Sequence, residues 1–345
     1  MLTPRSLRLH LFSVTFFSLF GLVACGGGGY GSGGMNVAVT GVGPSKLFAA
    51  DSTDRVVGSL ANSNPAAGPI TVDRIIGPQP GAFPYNYAGF STNIGSLALD
   101  VTRDYLYVGN GTSILVFHGA SVANGDLFVS ATFGTIGNTG SVFLDAANDR
   151  LYVGDNVNNV KVYDPASTTS GSSPAPRLIT GMSTPIHGVV VDPTKNILYV
   201  SNENSSTHQI SVFDGADSVT TAAPNRAIVP TVAAVNSPVG GISLDVTNDL
   251  LYVAPGSSGN GIMVFSAASA ADGAIQPAKT LTIASAPGIL NVVVDSVNDR
   301  LYAVGSNGHI YLIEAVRTLS SGTATAKDAS LSNGGVLTAV AVNPS

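Results

Sequence analysis

Asp192-Pro-Thr-Lys-Asn-Ile-Leu-Tyr-Val-Ser-Asn202 decides the fold, because its first nine residues recur four more times without a gap. The other windows are Asp100-Val-Thr-Arg-Asp-Tyr-Leu-Tyr-Val108, Asp145-Ala-Ala-Asn-Asp-Arg-Leu-Tyr-Val153, Asp245-Val-Thr-Asn-Asp-Leu-Leu-Tyr-Val253 and Asp295-Ser-Val-Asn-Asp-Arg-Leu-Tyr-Ala303. Successive leading aspartates lie 45, 47, 53 and 50 residues apart. A repeat of that length cannot bury its own apolar surface alone, so copies must stack, and short β-type segments between turns specify the blade of a propeller.

Around each window the pattern predicts four strands. An apolar segment precedes the aspartate (Leu97–Leu99, Val142–Leu144, Val189–Val191, Ile242–Leu244, Val292–Val294) and is expected to be innermost. The Leu-Tyr-Val segment is the second strand. Ile114–Phe117, Val160–Tyr163, Ile210–Phe213, Ile262–Phe265 and Ile310–Ile313 form the third, and stretches such as Arg177–Thr180 and Lys279–Ile283 the fourth. Alternating β-branched and aromatic residues over four to six positions support strands, and no helical period competes beyond residue 30.

The two ends complete the count. Lys46–Asp51 matches a second strand, followed by candidate strands Arg55–Leu60 and Thr71–Ile76, with no innermost strand before it. Val336–Val342, followed by Asn343 and Pro344, reads as an innermost strand with nothing after it. The expectation is an all-β, six-bladed β-propeller over 46–345, four antiparallel strands per blade, closed by the C-terminal strand pairing into the first blade. Closure removes the open edges that invite aggregation.

Composition agrees. The 345 residues include 40 Gly and 19 Pro, are 44% hydrophobic and only 10% charged, and carry a net charge of −6. Such a chain suits many turns around a large core and not a salt-bridged helical surface. The diffuse acidic balance, without basic runs, argues against nucleic acid. Assembled in this way, the repeat resembles the YVTN and NHL type of propeller repeat, with 192–202 as its best copy. That resemblance implies a fold and no activity.

The single cysteine, Cys25, excludes an intrachain disulfide. Arg5 and Arg8 precede an apolar run from Leu9 to Ala24 that is too short to span a bilayer but is arranged as a secretory signal. It ends in Leu22-Val23-Ala24-Cys25, with a Gly26–Gly29 tether behind it. This resembles the bacterial lipobox. The resemblance implies a signal peptide over 1–24, lipid such as palmitate on Cys25, and a tethering segment over 25–45. Gly26, where inner-membrane-retained lipoproteins carry Asp, favours the outer membrane, on its periplasmic or surface face. Two or three acyl chains hold a protein durably on a bilayer, whereas one does so marginally.

Candidate chemistry is sparse. The pairs Asp100/Asp104, Asp145/Asp149, Asp245/Asp249 and Asp295/Asp299 look like paired carboxylates, but a reaction needs one site and these recur in nearly every blade. They are expected to hold Asx-type turns, a role that Asn196 also fits. Tyr107, Tyr152, Tyr199, Tyr252 and Tyr302 recur likewise and are expected to pack between sheets with their hydroxyls locally paired.

The non-repeating loops at the face where innermost strands begin are the expected working face. They supply Asp51, Asp155, His187, Asn202, Glu203 and Asn307 as candidate binding residues, with Tyr85, Asn86, Tyr87, Asn110, Asn156, Asn158, Asn204, His208, Asn236, Asn291 and His309 nearby. Oxygen-rich groups of this kind suit a divalent cation of the Ca or Mg type. In that alternative the chain would loosely resemble the gluconolactonase-like propellers, acting as a metal-dependent hydrolase or lactonase. No Gly-x-Ser-x-Gly elbow and no phosphate loop occurs. The leading expectation is a non-catalytic, membrane-anchored binding or scaffold protein for an envelope protein, peptide or glycan, monomeric and without a cofactor. An accessory subunit of an outer-membrane assembly complex is a further alternative.

Overall fold

The computed structural model describes residues 46–344 except 79–87, 92, 135–136, 138, 156–157, 173–174, 183–184, 205–206, 221–222, 232–238, 258 and 333. The signal segment 1–24 and the tether 25–45, with Cys25, lie outside the described residues. The chain forms six small sheets arranged as a six-bladed β-propeller.

From innermost to outermost strand, blade 1 is Leu337–Val342, Leu47–Asp51, Val56–Leu60 and Arg74–Ile76. Blade 2 is Ile94–Asp100, Tyr105–Asn110, Ser113–His118 and Ala131–Phe133. Blade 3 is Thr139–Asp145, Arg150–Asp155, Val160–Tyr163 and Arg177–Ile179. Blade 4 is Ile186–Asp192, Ile197–Asn204, Thr207–Asp214 and Arg226–Pro230. Blade 5 is Ile242–Asp245, Leu250–Val253, Gly261–Ser266 and Lys279–Thr282. Blade 6 is Ile289–Asp295, Arg300–Gly305, Ile310–Glu314 and Lys327–Leu331. The C-terminal strand closes the ring as expected, pairing antiparallel with residues 47–51.

One feature departs from the four-strand expectation. In five of the six blades the outer strand is covered by a piece of the following blade, running parallel to it. Gly273–Ile275 covers blade 4, Gly322–Thr323 covers blade 5, and Gly68–Ile70 covers blade 6. Single bridges at Gly125 and Gly171 do the same for blades 1 and 2. In blade 3, the Thr180 amide donates to the Thr220 carbonyl at 3.4 Å. The expected strand over Thr71–Ile76 therefore shortens to Arg74–Ile76, which belongs to blade 1, while a separate strand ahead of it, Gly68–Ile70, crosses to blade 6. The chain ends thus latch the ring twice, and the outer edges are covered against foreign strands.

The core is not one mass but six apolar layers, one in each seam between neighbouring blades. This explains the Leu-Tyr-Val signature. Side chains alternate across a strand, so Leu106 and Val108 enter the seam with blade 1 while Tyr107 enters the seam with blade 3. The same partition holds for Leu198, Val200 and Tyr199, and Phe48 fills the tyrosine position in blade 1. Because both faces of a blade are buried, its middle strands read as continuous apolar runs.

The paired acids are architectural. Asp100 Oδ1 accepts the Thr102 and Arg103 amides at 3.0 and 2.9 Å, closing the turn from first to second strand. The second acid sits in the left-handed region, at φ 58° in Asp104 and 55° in Asp149. In blades 2, 3 and 5 its carboxylate takes both the amide and hydroxyl of a serine past the third strand, as Asp149 takes Ser167 at 2.9 and 2.6 Å, and in blade 6 Asp299 takes the amide and guanidinium of Arg317. Asn196 plays this part in blade 4, accepting the Asp217 amide at 2.9 Å.

A cation at the start of the outer strand ties three blades to the next. Arg177 donates to Ala216 O at 2.8 Å, Arg226 to Ser269 O at 2.6 Å, and Lys279 to Val316 O at 2.8 Å. Burial lowers the pKa of Lys279 from its ordinary value.

Candidate functional site: the channel mouth

The inner strands leave one edge facing the propeller axis, where nothing extends the ladder. Serines of one blade satisfy backbone amides of the next: Ser96 Oγ accepts Val142 N at 2.8 Å, Ser141 Oγ accepts Val189 N at 3.1 Å, and Ser243 Oγ accepts Val294 N at 3.0 Å. The deeper channel is a cavity of about 240 Å³ between walls that include Leu97, Phe143, Val190, Leu244, Val293 and Val340.

At the face where the inner strands begin, every blade carries the same irregularity. The pairing between first and second strands skips Thr338 in blade 1, Gly95 in blade 2, Gly140 in blade 3, His187 in blade 4 and Leu290 in blade 6. In blade 5 Gly240 and Gly241 both face Ala254, their bonds being 2.8 Å from the Gly240 amide to Ala254 O and 3.0 Å from the Ala254 amide to Gly241 O. Such bulges re-aim a residue and are frequent beside binding sites. All six bulge residues line one cavity of about 490 Å³ at the mouth of the channel, completed by Pro185, Ile186, Val239, Gly256, Ser257 and Asn291.

Of the candidates among the described residues, only His187 and Asn291 line this mouth. Asp51, Asp155 and Asn202 are buried at equivalent positions, three residues past the aromatic of the second strand. There they bond to nearby turns and strands. Asp51 Oδ1 accepts the Thr53 amide at 2.8 Å, Asp155 Oδ1 the Asn159 amide at 2.9 Å, and Asn202 Oδ1 the Ser211 hydroxyl at 2.9 Å. Asn110, at the same position in blade 2, accepts the Ser91 amide at 2.7 Å.

Glu203 lies on the second strand of blade 4, in register with His208, and Asn204 follows it on the same strand. Asn307 is exposed on blade 6 and donates to the Tyr311 hydroxyl at 2.9 Å, and burial raises the Tyr311 phenol above its usual pKa. His309 Nδ1 lies 2.7 Å from Asp328 Oδ1. Tyr85, Asn86, Tyr87, Asn156 and Asn236 lie outside the described residues. Among the described residues, no three His, Cys, Asp or Glu side chains gather as metal ligands.

Sequence reasoning passed over Thr338, Leu290, Ser257 and the three bulge glycines. Thr338 Oγ1 donates to Ile94 O at 2.6 Å, tying blade 1 to blade 2 at the rim. The only signal was the pair of residues ahead of each innermost strand, and that pair differs from blade to blade.

No family model and no curated protein matches the chain. Among solved structures, a chain described as the crystal structure of a nidogen/laminin complex superposes with a TM-score of 0.57 at 14% identity. The match covers 86% of this chain and 97% of the other. The likeness is one of fold.

Proposed function

We propose that this chain is a lipid-anchored bacterial envelope protein whose propeller serves as a non-catalytic binding or scaffold module, with the channel mouth as its contact site. One observation carries the reading: all six blades depart from regular pairing at one level and so turn a residue into a shared concavity. Six seams of buried side chains hold that concavity rigid, which keeps the entropic cost of binding low. The solved structure of similar fold is described as a nidogen/laminin complex, which supports a protein partner. The anchor rests on the lipobox resemblance at Leu22–Cys25, and the acyl chains would keep the module at the outer membrane.

The test is site-specific photo-crosslinking in intact cells from a position in place of Ser257 in the mouth, with a matched position in place of Val101 on the opposite face. Reproducible adducts from the first and not the second are expected. Absence of any adduct from the mouth overturns the binding role. Mass spectrometry of the N-terminal peptide checks the anchor separately, and an unmodified Cys25 refutes it.

A further inference from the structure

We infer that the occupant of the mouth is an uncharged stretch of polypeptide that seats an aliphatic side chain beside Leu290; this rests on the binding role proposed above and narrows it. The six connections that lead from an outer strand to the next innermost strand (77–93, 134–138, 180–185, 231–238, 283–288 and 332–336) contain no Asp, Glu, Lys or Arg. On the opposite face, each of the five repeated turns carries at least two such residues. The cavity continues the pattern, since among the described residues His187 is its one ionisable lining residue. A charged ligand would lose its water there and meet no counter-charge, a strongly unfavourable exchange.

The kind of neutral ligand follows from what the rim offers. Leu290 is 39% exposed although it is a large aliphatic residue on a bulge, and Pro185, Ile186 and Val239 add apolar surface. A sugar ring binds best with its C–H face on an aromatic ring, and among the described residues no aromatic side chain lines this cavity. Three of the six bulge positions are glycines, which leaves backbone as rim. A Cβ on Gly95 would lie 3.0 Å from Thr139 O, and one on Gly240 would lie 2.6 Å from Leu290 O, so side chains are kept out of these places. Peptide groups next to an aliphatic socket are complemented by an amide backbone carrying an aliphatic side chain. A volume of about 490 Å³ is of the size that ordinary ligand pockets have.

The experiment pans a phage-displayed library of cyclic seven-residue peptides against the full chain in detergent, then measures binding of selected synthetic peptides to variants. Leu290→Glu is surface-placed, and its fold is checked by its melting temperature. Leu290→Met keeps the socket apolar, and Val101→Glu places the same charge on the opposite face.

The expected result is an aliphatic residue shared at one position of the peptides. Affinity should fall at least about tenfold in Leu290→Glu and stay near wild type in the other two, the change that burying an unmatched carboxylate brings. Failure to enrich any sequence, selected peptides that carry charge at the shared position, or binding unaffected by Leu290→Glu overturns the inference. Maltotriose and cellotriose form a second arm. If either binds and is lost in Leu290→Glu, the peptide is wrong and a glycan takes its place, while the binding role stands. Loss of that role is read independently by the crosslinking from the mouth.

Discussion

The Tyr152 hydroxyl donates to the Ala216 carbonyl at 3.2 Å across the seam between blades 3 and 4. Tyr302 makes the corresponding bond to Ser63 O across the ring closure. The other three tyrosines of the repeat differ, and here the structure corrects the expectation that all five hydroxyls find partners. Tyr107, Tyr199 and Tyr252 hydroxyls are buried with no hydrogen-bond partner among the described residues. Blade 1 has Phe48 at this position, fully buried, so the ring and not the hydroxyl is what the seam requires.

Tyr152→Phe is therefore expected to destabilise the protein by up to about 1 kcal/mol, because the bond from the hydroxyl to the Ala216 carbonyl is lost while Arg177 still donates to that carbonyl. Tyr107→Phe, Tyr199→Phe and Tyr252→Phe should be neutral or stabilising, since each removes a desolvated hydroxyl that gains nothing. Urea denaturation of the four variants checks this. An equal loss in all four would show that the three hydroxyls are paired.

The same burial governs alkaline behaviour. Desolvation pushes the Tyr163 phenol up to about 12, and raises those of Tyr107, Tyr199 and Tyr252 as well. A folded pKa above the unfolded value means that the folded state holds its proton longer. Stability is then fully present below the unfolded pKa of about 10 and declines as pH rises toward the folded one, by about 1.4 kcal/mol per pH unit for each such group. Absorbance at 295 nm should show these tyrosines ionising together with the loss of circular dichroism. Ionisation near pH 10 with the fold intact would contradict the burial.

Asp149 tests the architectural reading of the acids. Asp149→Asn should be mild, because Asn196 holds the equivalent left-handed turn and accepts the equivalent amide. Asp149→Ala should cost roughly 2 kcal/mol, since it strips the acceptor from Ser167 and leaves a β-carbon at positive φ with no compensating bond. Thermal melts of the pair separate the two.

Two glycines probe the ring closure by different mechanisms. At Gly335 a Cβ would lie 2.0 Å from Asp51 Oδ2, so Gly335→Ala must displace a buried carboxylate or the closing strand, at about 1–3 kcal/mol. At Gly68 the φ of 98° is the obstacle and nothing lies within 4 Å, so Gly68→Ala should cost about 1 kcal/mol from backbone strain alone. Chemical denaturation of both should preserve this order.

Much of the architecture was legible in the chain. A nine-residue window repeated five times carries its turn chemistry in its own side chains, because Asx turns bond to amides two and three residues away. Period-two alternation in Leu-Tyr-Val likewise dictates burial on both faces of a strand. The unmatched strands at the two termini required closure, since an innermost strand at 337–342 and a second strand at 47–51 each lack what the other supplies.

Other features were decided only by the folded chain. The crossing of Gly68–Ile70 to blade 6 joins segments about 260 residues apart in sequence, and such pairing leaves no local pattern. Arg177, Arg226 and Lys279 recur at the head of the outer strand, yet their carbonyl partners belong to the next blade and carry no side-chain signature. Asp51, Asp155 and Asn202 read as loop ligands, but in the structure they are buried and bonded within their own blades. The mouth is the clearest case. Its six bulge residues are Thr, Gly, Gly, His, Gly and Leu, which share no chemistry. What they share is a position in the ladder where register slips by one, and register is a property of two paired strands and not of either one alone.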